Sequence, residues 1–319
     1  MLSIIDIDRK IPLKAHILTF LLCILCALTS HHNYQKDIYI HLKCMLVRTP
    51  TIREVECKTL LHTMNYERGY PEYTINLYRG CLHACVYCYA PSLIQDEREW
   101  GEYVDVKVNA PEVLRKELRK VKKGVVFLSS ASDPYQAVEA KYKVTRRCLE
   151  VLLEHDFPVL ILTRSHLVLR DVDLLKRFKW VRVGMSVTSV PDPRFEPRVP
   201  PLERRIQTLK TLSSEGIITW VSFAPIIPTL FMLDLHALFQ ALKEAGVKAV
   251  HAGLLRFENY EISRRMFEKK VGVRYQSVMA GSYAVRKSVE ELARRYGFDT
   301  STKIFEWREP FSLERYLKS

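Results

Sequence analysis

The sequence contains no internal repeat, no low-complexity linker and no disulfide framework. The first absence excludes a repeat architecture, and the second gives no sign of a flexible connection between separate domains. The eight cysteines do not form a scaffold pattern, because three of them fall within eight residues. We therefore expect a reducing compartment, the cytoplasm. With 48% apolar residues the 319-residue chain can bury one large core, and α/β barrels of this length are often single domains.

A long membrane-spanning run is also lacking. Residues 15–30 are apolar and nearly uncharged, but these sixteen residues are short for a span, which needs about 20. Their position after Lys10 and Lys14 fits three interpretations: a cleaved export signal, a membrane or interface anchor, and a doubtful extension before a true start at Met45. We favour the Met45 start, since export would expose the cysteine site described below to oxidation. With that start we expect no stable membrane association.

Acidic residues are outnumbered, with 36 Asp and Glu against 49 Lys and Arg, which gives a formal net charge of +13. Such an excess favours phosphate-rich partners, and nucleic acid is the candidate partner. A solvated basic surface is the alternative, because the charge is spread along the chain. The densest basic run, Lys116–Lys123, lies where a helix is expected to end, and the helix dipole explains it without a ligand.

What the sequence does contain is an alternation of apolar runs rich in β-branched residues with amphipathic helical stretches. Such alternation predicts parallel strands joined by crossover helices, and continuous apolar strands indicate burial on both faces. Six units favour a partial (β/α)6 barrel of the TIM type over an open sheet. The expected strands are Tyr73–Gly80, Gly124–Ser130, Pro158–Ser165, Val181–Ser189, Ile218–Ile227 and Lys248–Phe257. The expected helices are 111–122, 140–155, 168–178, 201–215, 234–245 and, on the C-terminal side, Tyr283–Arg295.

Polar side chains recur where these apolar strands end. Because reactive groups of such barrels lie at the carboxyl ends of the strands, the polar ends predict a ring around one site. Ordinary helix capping by Ser, Thr and Asp is the alternative and is expected to account for about half of them. The residues concerned are Ser129, Ser130, Ser132, Asp133, Thr163, Arg164, Ser165, Ser186, Thr188 and Arg256.

The strongest chemical signal is the segment Arg79–Ala90, RGCLHACVYCYA, in which Cys81, Cys85 and Cys88 have C-x3-C-x2-C spacing. Thiolates are the usual ligands of iron–sulfur clusters, and a cubane needs four ligands, so three thiols suggest one iron left open. Zinc is an alternative with His83 as a nitrogen ligand, but ligands spaced so tightly would be strained. A redox pair Cys85–Cys88 is the third interpretation, and it leaves Cys81 unexplained.

With Tyr87 as the aromatic residue, this spacing resembles the signature of the radical S-adenosylmethionine (SAM) superfamily. The wider stretch Tyr73–Ala90 resembles the branch that contains spore photoproduct lyase and related DNA-repair photolyase-like proteins. The resemblance extends from about Arg53 to about Arg256 and includes four later segments in the expected order. These are Val106–Ala110, Ser129–Glu139, Leu162–Asp171 and Glu196–Arg205.

The resemblance implies a barrel of radical SAM type with a [4Fe–4S] cluster on Cys81, Cys85 and Cys88. It implies that the open iron binds SAM, and that an electron from a reductase or ferredoxin-type donor cleaves SAM to a 5′-deoxyadenosyl radical. By position in the family, the SAM site is implied to include the following residues. They are Tyr87 beside adenine, Ser132 and Asp133 at the amino group, Arg164 at the carboxylate, and Ser186 at the methionine or ribose part.

One departure limits what the resemblance implies about the reaction. Spore photoproduct lyase uses a cysteine near the end of the second strand to return hydrogen to the product radical. Here the corresponding segment, residues 130–133, reads Ser-Ala-Ser-Asp, and a serine O–H bond is too strong to donate a hydrogen atom readily. We therefore expect a reaction other than thymine-dimer reversal by that route, on an unidentified substrate.

These expectations divide the chain into four parts: the extension 1–44, the first strand and cluster loop 45–100, the remaining barrel 101–280, and a C-terminal helix and tail 281–319. The function expected is that of a radical SAM enzyme acting on an unidentified substrate, with nucleic acid and a peptide as the candidates. The alternative is a non-catalytic iron–sulfur or zinc protein that binds nucleic acid through its basic surface. A third interpretation, a membrane-anchored redox protein, is supported by residues 15–30 alone.

Overall fold

A computed structural model describes residues 49–64 and 71–307. The apolar run 15–30, the start at Met45 and the end of the C-terminal tail lie outside the described residues, so these expectations stay predictions. No helix within the described ranges is long and apolar enough to cross a membrane.

The larger sheet has seven strands in the order β10-β9-β8-β7-β6-β3-β2. Its six strands from β3 to β10 run parallel, and β2 pairs antiparallel with β3 at one edge. This confirms the expected α/β fold with a parallel sheet. The strands are β2 Leu61–Thr63, β3 Tyr73–Ile75, β6 Val126–Leu128, β7 Val159–Thr163, β8 Val181–Val187, β9 Ile218–Ile226 and β10 Ala249–Leu254.

Helices follow the strands β6 to β10 of this sheet. In the helix after β6, Val144, Cys148, Val151 and Leu152 recur at helical spacing and are buried, so one apolar stripe faces the core. The α-helices are α1 Ala90–Ile94, α2 Ala110–Leu118, α3 Glu139–Tyr142, α4 Val144–Glu154, α5 Val172–Leu175, α6 Leu202–Ser214, α7 Leu235–Glu244, α8 Glu261–Val271, α9 Tyr275–Val278 and α10 Ser282–Arg295.

A smaller three-stranded sheet lies beside the start of the barrel, in the order β1-β5-β4. Its strands are β1 Thr51–Val55, β4 Tyr78–Arg79 and β5 Tyr103–Lys107. The expected single strand Tyr73–Gly80 is therefore wrong in its extent: its first residues form β3, and its last residues turn away and pair with β5. The turn brings the chain out of the barrel wall just before the cysteines.

Two expected helices are interrupted. The stretch 140–155 divides into α3 and α4 at Lys143, whose φ of 51° is left-handed. The stretch 168–178 begins with a 3₁₀ helix, His166–Asp171, and continues as the short α5. The expectations for 201–215, 234–245 and Tyr283–Arg295 are met by α6, α7 and α10, whereas α2 ends at Leu118, before the expected end of the helix 111–122.

Candidate functional site

The cysteine loop begins at Gly80, where the chain leaves β4. Gly80 has a φ of 90°, and a Cβ atom there would lie 2.3 Å from the carbonyl oxygen of Tyr103, so only glycine fits. The fully buried side chain of Gln136 then makes hydrogen bonds to the loop at two points. Its Nε2 donates to the Gly80 carbonyl at 3.2 Å, and its Oε1 accepts from the Leu82 amide at 2.9 Å. The loop is therefore tied to the segment that follows β6.

The three loop thiols lie in a low-dielectric environment. Cys81 and Cys85 are buried and Cys88 is half-buried. Burial raises the pKa of Cys85 to about 12, and it also raises the pKa values of Cys81 and Cys88. Without a positive centre these thiols hold their protons at neutral pH, and a metal that binds them must displace those protons. Within residues 49–64 and 71–307 no group of three or more His, Cys, Asp or Glu has the spacing to hold a single metal ion.

A cavity of about 750 Å³ opens beside the cysteine loop, at the carboxyl ends of the strands. All eight residues expected at the site line this one cavity: Cys81, Cys85, Tyr87, Cys88, Ser132, Asp133, Arg164 and Ser186. The polar ring at the strand ends is borne out in part. Ser129, Ser130 and Arg256 also line the cavity, whereas Thr163, Ser165 and Thr188 do not. Ser165 caps the 3₁₀ helix by accepting from the Leu167 amide at 3.2 Å, as the capping alternative predicts.

Asp133 and Ser132 differ in the number of hydrogen bonds that the protein makes to their side chains. Asp133 accepts hydrogen bonds from the Tyr135 amide at 2.8 Å, the Thr163 hydroxyl at 2.6 Å and the Arg164 amide at 2.8 Å. Its carboxylate thereby joins the ends of β6 and β7. The hydroxyl of Ser132 is buried and has no hydrogen-bond partner among the described residues. An unpartnered buried hydroxyl is costly unless a ligand satisfies it.

His83 lies between Cys81 and Cys85 in the loop, and it also lines the cavity. Its ring is buried, with Nδ1 3.7 Å from Oδ2 of Asp133 and without a hydrogen-bond partner in the described part of the chain. Burial lowers the pKa of His83. A neutral imidazole is therefore the expected form at neutral pH.

Tyr87, Arg164 and Ser186 also line the cavity. The Tyr87 hydroxyl donates to Oε1 of Glu196, and the Arg164 guanidinium carbon lies 5.9 Å from the Tyr87 ring centre. The Ser186 hydroxyl makes a long hydrogen bond of 3.4 Å to the Ala224 carbonyl. Tyr87 and Arg164 are therefore held by charge and hydrogen bonding, whereas Ser186 is held only weakly.

Sequence reasoning assigned no individual role to Glu196 and Arg205, a buried pair in contact with Tyr87, Arg164 and Ser186. Glu196 and Arg205 are 4% and 1% exposed, and Nη2 of Arg205 lies 2.6 Å from Oε2 of Glu196. Both lie in a segment that the sequence marks only by its resemblance to a family motif. The aromatic rim of the cavity was also missed: the Tyr89 and Tyr260 ring centres are 5.6 Å apart. The pairing of Tyr89 with Tyr260 has no local sequence signal, because the two residues are distant in the chain. Glu196 and Arg205 are only nine residues apart, but the loop between them has no regular periodicity that would predict their contact.

A family model described as the radical SAM superfamily matches residues 75–242, which extend from β3 into α7. Among curated proteins, one of Methanocaldococcus jannaschii without a characterised function is 39% identical over 168 residues, or 51% of this chain and 63% of that protein. A radical SAM Nα-GlyT isomerase of Pseudomonas phage M6 is 28% identical over 183 residues, or 54% of this chain and 38% of that protein. The chain thus spans less than two thirds of the length of these relatives.

Solved structures of spore photoproduct lyase have the same fold. The complex with dinucleoside spore photoproduct superposes with a TM-score of 0.59 at 18% identity, over 77% of this chain and 78% of that one. A variant of the same enzyme with bound AdoMet and dinucleoside spore photoproduct gives a TM-score of 0.56, also at 18% identity and over 77% and 78% of the two chains. At this identity the likeness concerns the fold.

Proposed function

The chain belongs to the radical SAM superfamily, and we propose that it is an enzyme that holds a [4Fe–4S] cluster on Cys81, Cys85 and Cys88 beside a bound SAM molecule. One observation carries this proposal. The three thiols and Tyr87 come from the cysteine loop and the other four residues expected to bind SAM come from the ends of β6, β7 and β8, yet all eight line the same cavity. We also propose the cytoplasm as the place of action, because its reducing conditions preserve thiol ligands.

The donor set of the cavity fits both groups. Three thiols leave one iron of a cubane without a protein ligand, and the amino and carboxylate groups of SAM can supply the missing ligands. The hydroxyl of Ser132 and Nδ1 of His83 are buried polar atoms that have no hydrogen-bond partner within residues 49–64 and 71–307, so both can bind a ligand. A volume of about 750 Å³ lies within the range of small-molecule sites, roughly 300–1,000 Å³.

When bound, the cluster and SAM together supply reductive cleavage of the sulfonium to methionine and a 5′-deoxyadenosyl radical, with an electron from a reductase or ferredoxin-type donor. The chain's own residues bind and orient. Arg164 offers a guanidinium to a carboxylate, and Ser132 can accept from an ammonium group. The buried walls around Cys85 and Tyr87 exclude water from the reacting atoms.

Nucleic acid is the substrate class that we propose for this enzyme. The support is the formal net charge of +13, the exposed Arg256 on the cavity wall, and the aromatic rim of Tyr89 and Tyr260, which can stack on a base. The relative solved with a dinucleoside ligand has the same fold. Dimer reversal with a cysteine hydrogen donor is not part of the proposal, because Ser130 and Ser132 stand in the segment where that cysteine would lie.

Anaerobic reconstitution tests the proposed cofactor site. The wild-type chain should take up about four irons and four sulfides, and its reduced electron paramagnetic resonance spectrum should change when SAM is added. Cys85→Ala should lose both properties, whereas Cys57→Ala should keep them, because Cys57 does not line the cavity. One colourless zinc per chain would contradict the proposal and favour the non-catalytic alternative.

A binding experiment tests the proposed substrate class. Fluorescence anisotropy with a single-stranded oligonucleotide should give a dissociation constant that rises in Arg256→Gln. The matched control is Arg264→Gln on α8, which removes an arginine that does not line the cavity. Equal loss of affinity in both variants would indicate binding to the general basic surface and would contradict a nucleic-acid substrate at this cavity.

A further inference from the structure

The loop that follows β8 clamps the cysteine loop at separate points. The Phe195 carbonyl accepts from the Val86 amide at 3.0 Å, and Glu196 accepts from the Tyr87 hydroxyl. Arg198 donates to the carbonyls of Gly101 and Leu82. The position of the cysteine loop therefore depends on a segment more than a hundred residues away in the chain.

Glu196 is the hub of this clamp. Besides Tyr87, it binds Nη2 of Arg205 at 2.6 Å and has Nε of Arg164 3.5 Å away. Arg205 in turn donates to the Ser186 carbonyl at 2.8 Å. Glu196 does not line the cavity, but it contacts Tyr87 and Arg164 directly and Ser186 through Arg205. It thus supports two cavity-lining residues directly and a third through Arg205.

The two contacts of Glu196 with arginine differ in kind. Arg205 is anchored at both ends of its guanidinium, by Glu196 and by the end of β8. Nε of Arg164 has no hydrogen-bond partner in residues 49–64 and 71–307, and its side chain is 23% exposed and lines the cavity. Glu196 therefore balances the charge of Arg164 without using its donors, and the guanidinium stays available to a ligand.

We infer that Glu196 is a positioning residue that orients Tyr87 and Arg164 for SAM; the inference rests on the proposed function and deepens it. SAM has two positive groups, the ammonium and the sulfonium, and one carboxylate. Without the charge of Glu196, the guanidiniums of Arg164 and Arg205 lose their shared counter-ion, and the site becomes more repulsive to this net cation. The thiols keep their own supports, so cluster content should change less than SAM affinity.

Equilibrium dialysis of radiolabelled SAM against the reconstituted protein tests this inference. In Glu196→Gln the iron and sulfide content should equal that of the wild type, and the dissociation constant for SAM should rise about 10- to 100-fold, as is typical when the support of a ligating group is removed. Glu196→Asp keeps the charge and should restore part of the affinity. The matched control is Glu203→Gln, an exposed glutamate in the first turn of α6, which should leave both quantities unchanged.

Two results would overturn the inference. One is an unchanged SAM dissociation constant in a fully loaded Glu196→Gln protein. The other is a loss of iron with unchanged affinity per loaded site, which would indicate a purely structural clamp. If Glu196→Gln does not fold, Tyr87→Phe removes the hydroxyl that Glu196 binds, and an unchanged SAM affinity in that variant overturns the inference. Failure of the wild type itself to bind iron and SAM would instead refute the proposed function, and the inference with it.

Discussion

At the scale of single residues, Ser132 and Asp133 are neighbours in the chain with opposite surroundings. Three donors of the protein saturate much of the Asp133 carboxylate, whereas the Ser132 hydroxyl is buried without a partner among the described residues. Both were expected near the amino group of SAM, and both assignments stay predictions. The structure separates their physical roles: Asp133 holds the ends of β6 and β7 together, and Ser132 has hydrogen-bonding capacity left for a ligand.

The first prediction follows from that difference. Ser132→Ala removes a buried acceptor with capacity left for SAM, so the dissociation constant for SAM should rise about 5- to 10-fold, the equivalent of one modest hydrogen bond. Ser130→Ala is the matched control, because the Ser130 hydroxyl already accepts from Asn76 at 3.2 Å and is not expected to donate hydrogen. Equilibrium dialysis measures both variants. Equal effects of the two substitutions would contradict the assignment of Ser132.

At the scale of helices and strands, the sequence predicts most of the barrel because its strands are continuous apolar runs with β-branched residues. β8 and β9 agree with their expected ranges to within two residues at each end. The prediction of one strand over Tyr73–Gly80 was wrong for a physical reason. Tyr78 and Arg79 pair with β5, which is distant in the chain, and local periodicity carries no information on such long-range pairing. The same holds for Glu196, whose partners Tyr87 and Arg205 meet only in the folded chain.

Packing between β8 and β9 gives the second prediction. Gly184 is the register partner of Trp220, and a Cβ on Gly184 would lie 2.3 Å from the indole. Gly184→Ala should therefore destabilise the fold by about 1–3 kcal/mol through overpacking, measured as a lower urea-unfolding midpoint. Adding Trp220→Leu makes room, so the double variant should lose less stability than the two single changes summed. Strict additivity would show that the two side chains do not compete for this space.

At the scale of the whole molecule, the site is assembled from strand ends that are far apart in sequence. The residues that line it range in sequence from Thr63, in the edge strand β2, to Tyr260, which follows β10. Parallel strands bring these positions together because their carboxyl ends meet at one end of the barrel. The described residues from Pro50 onward form a compact unit that contains the lining residues named above.

The third prediction concerns that unit. A chain that begins at Met45 should take up the same iron and sulfide per chain as the full sequence and bind SAM with the same affinity, because the described lining of the cavity starts at Thr63. Iron analysis and equilibrium dialysis on both proteins make the comparison. A shorter chain that folds but binds no iron would show that residues 1–44 contribute to the site.

The measurement that tests the central claim most directly is the formation of 5′-deoxyadenosine by the reconstituted protein with dithionite and SAM under anaerobic conditions. We expect 5′-deoxyadenosine and methionine in equal amounts from the wild type and from Cys57→Ala, and none above background from Cys85→Ala. A fully loaded wild-type protein that yields no 5′-deoxyadenosine, or a Cys85→Ala variant that yields as much as the wild type, would contradict the account.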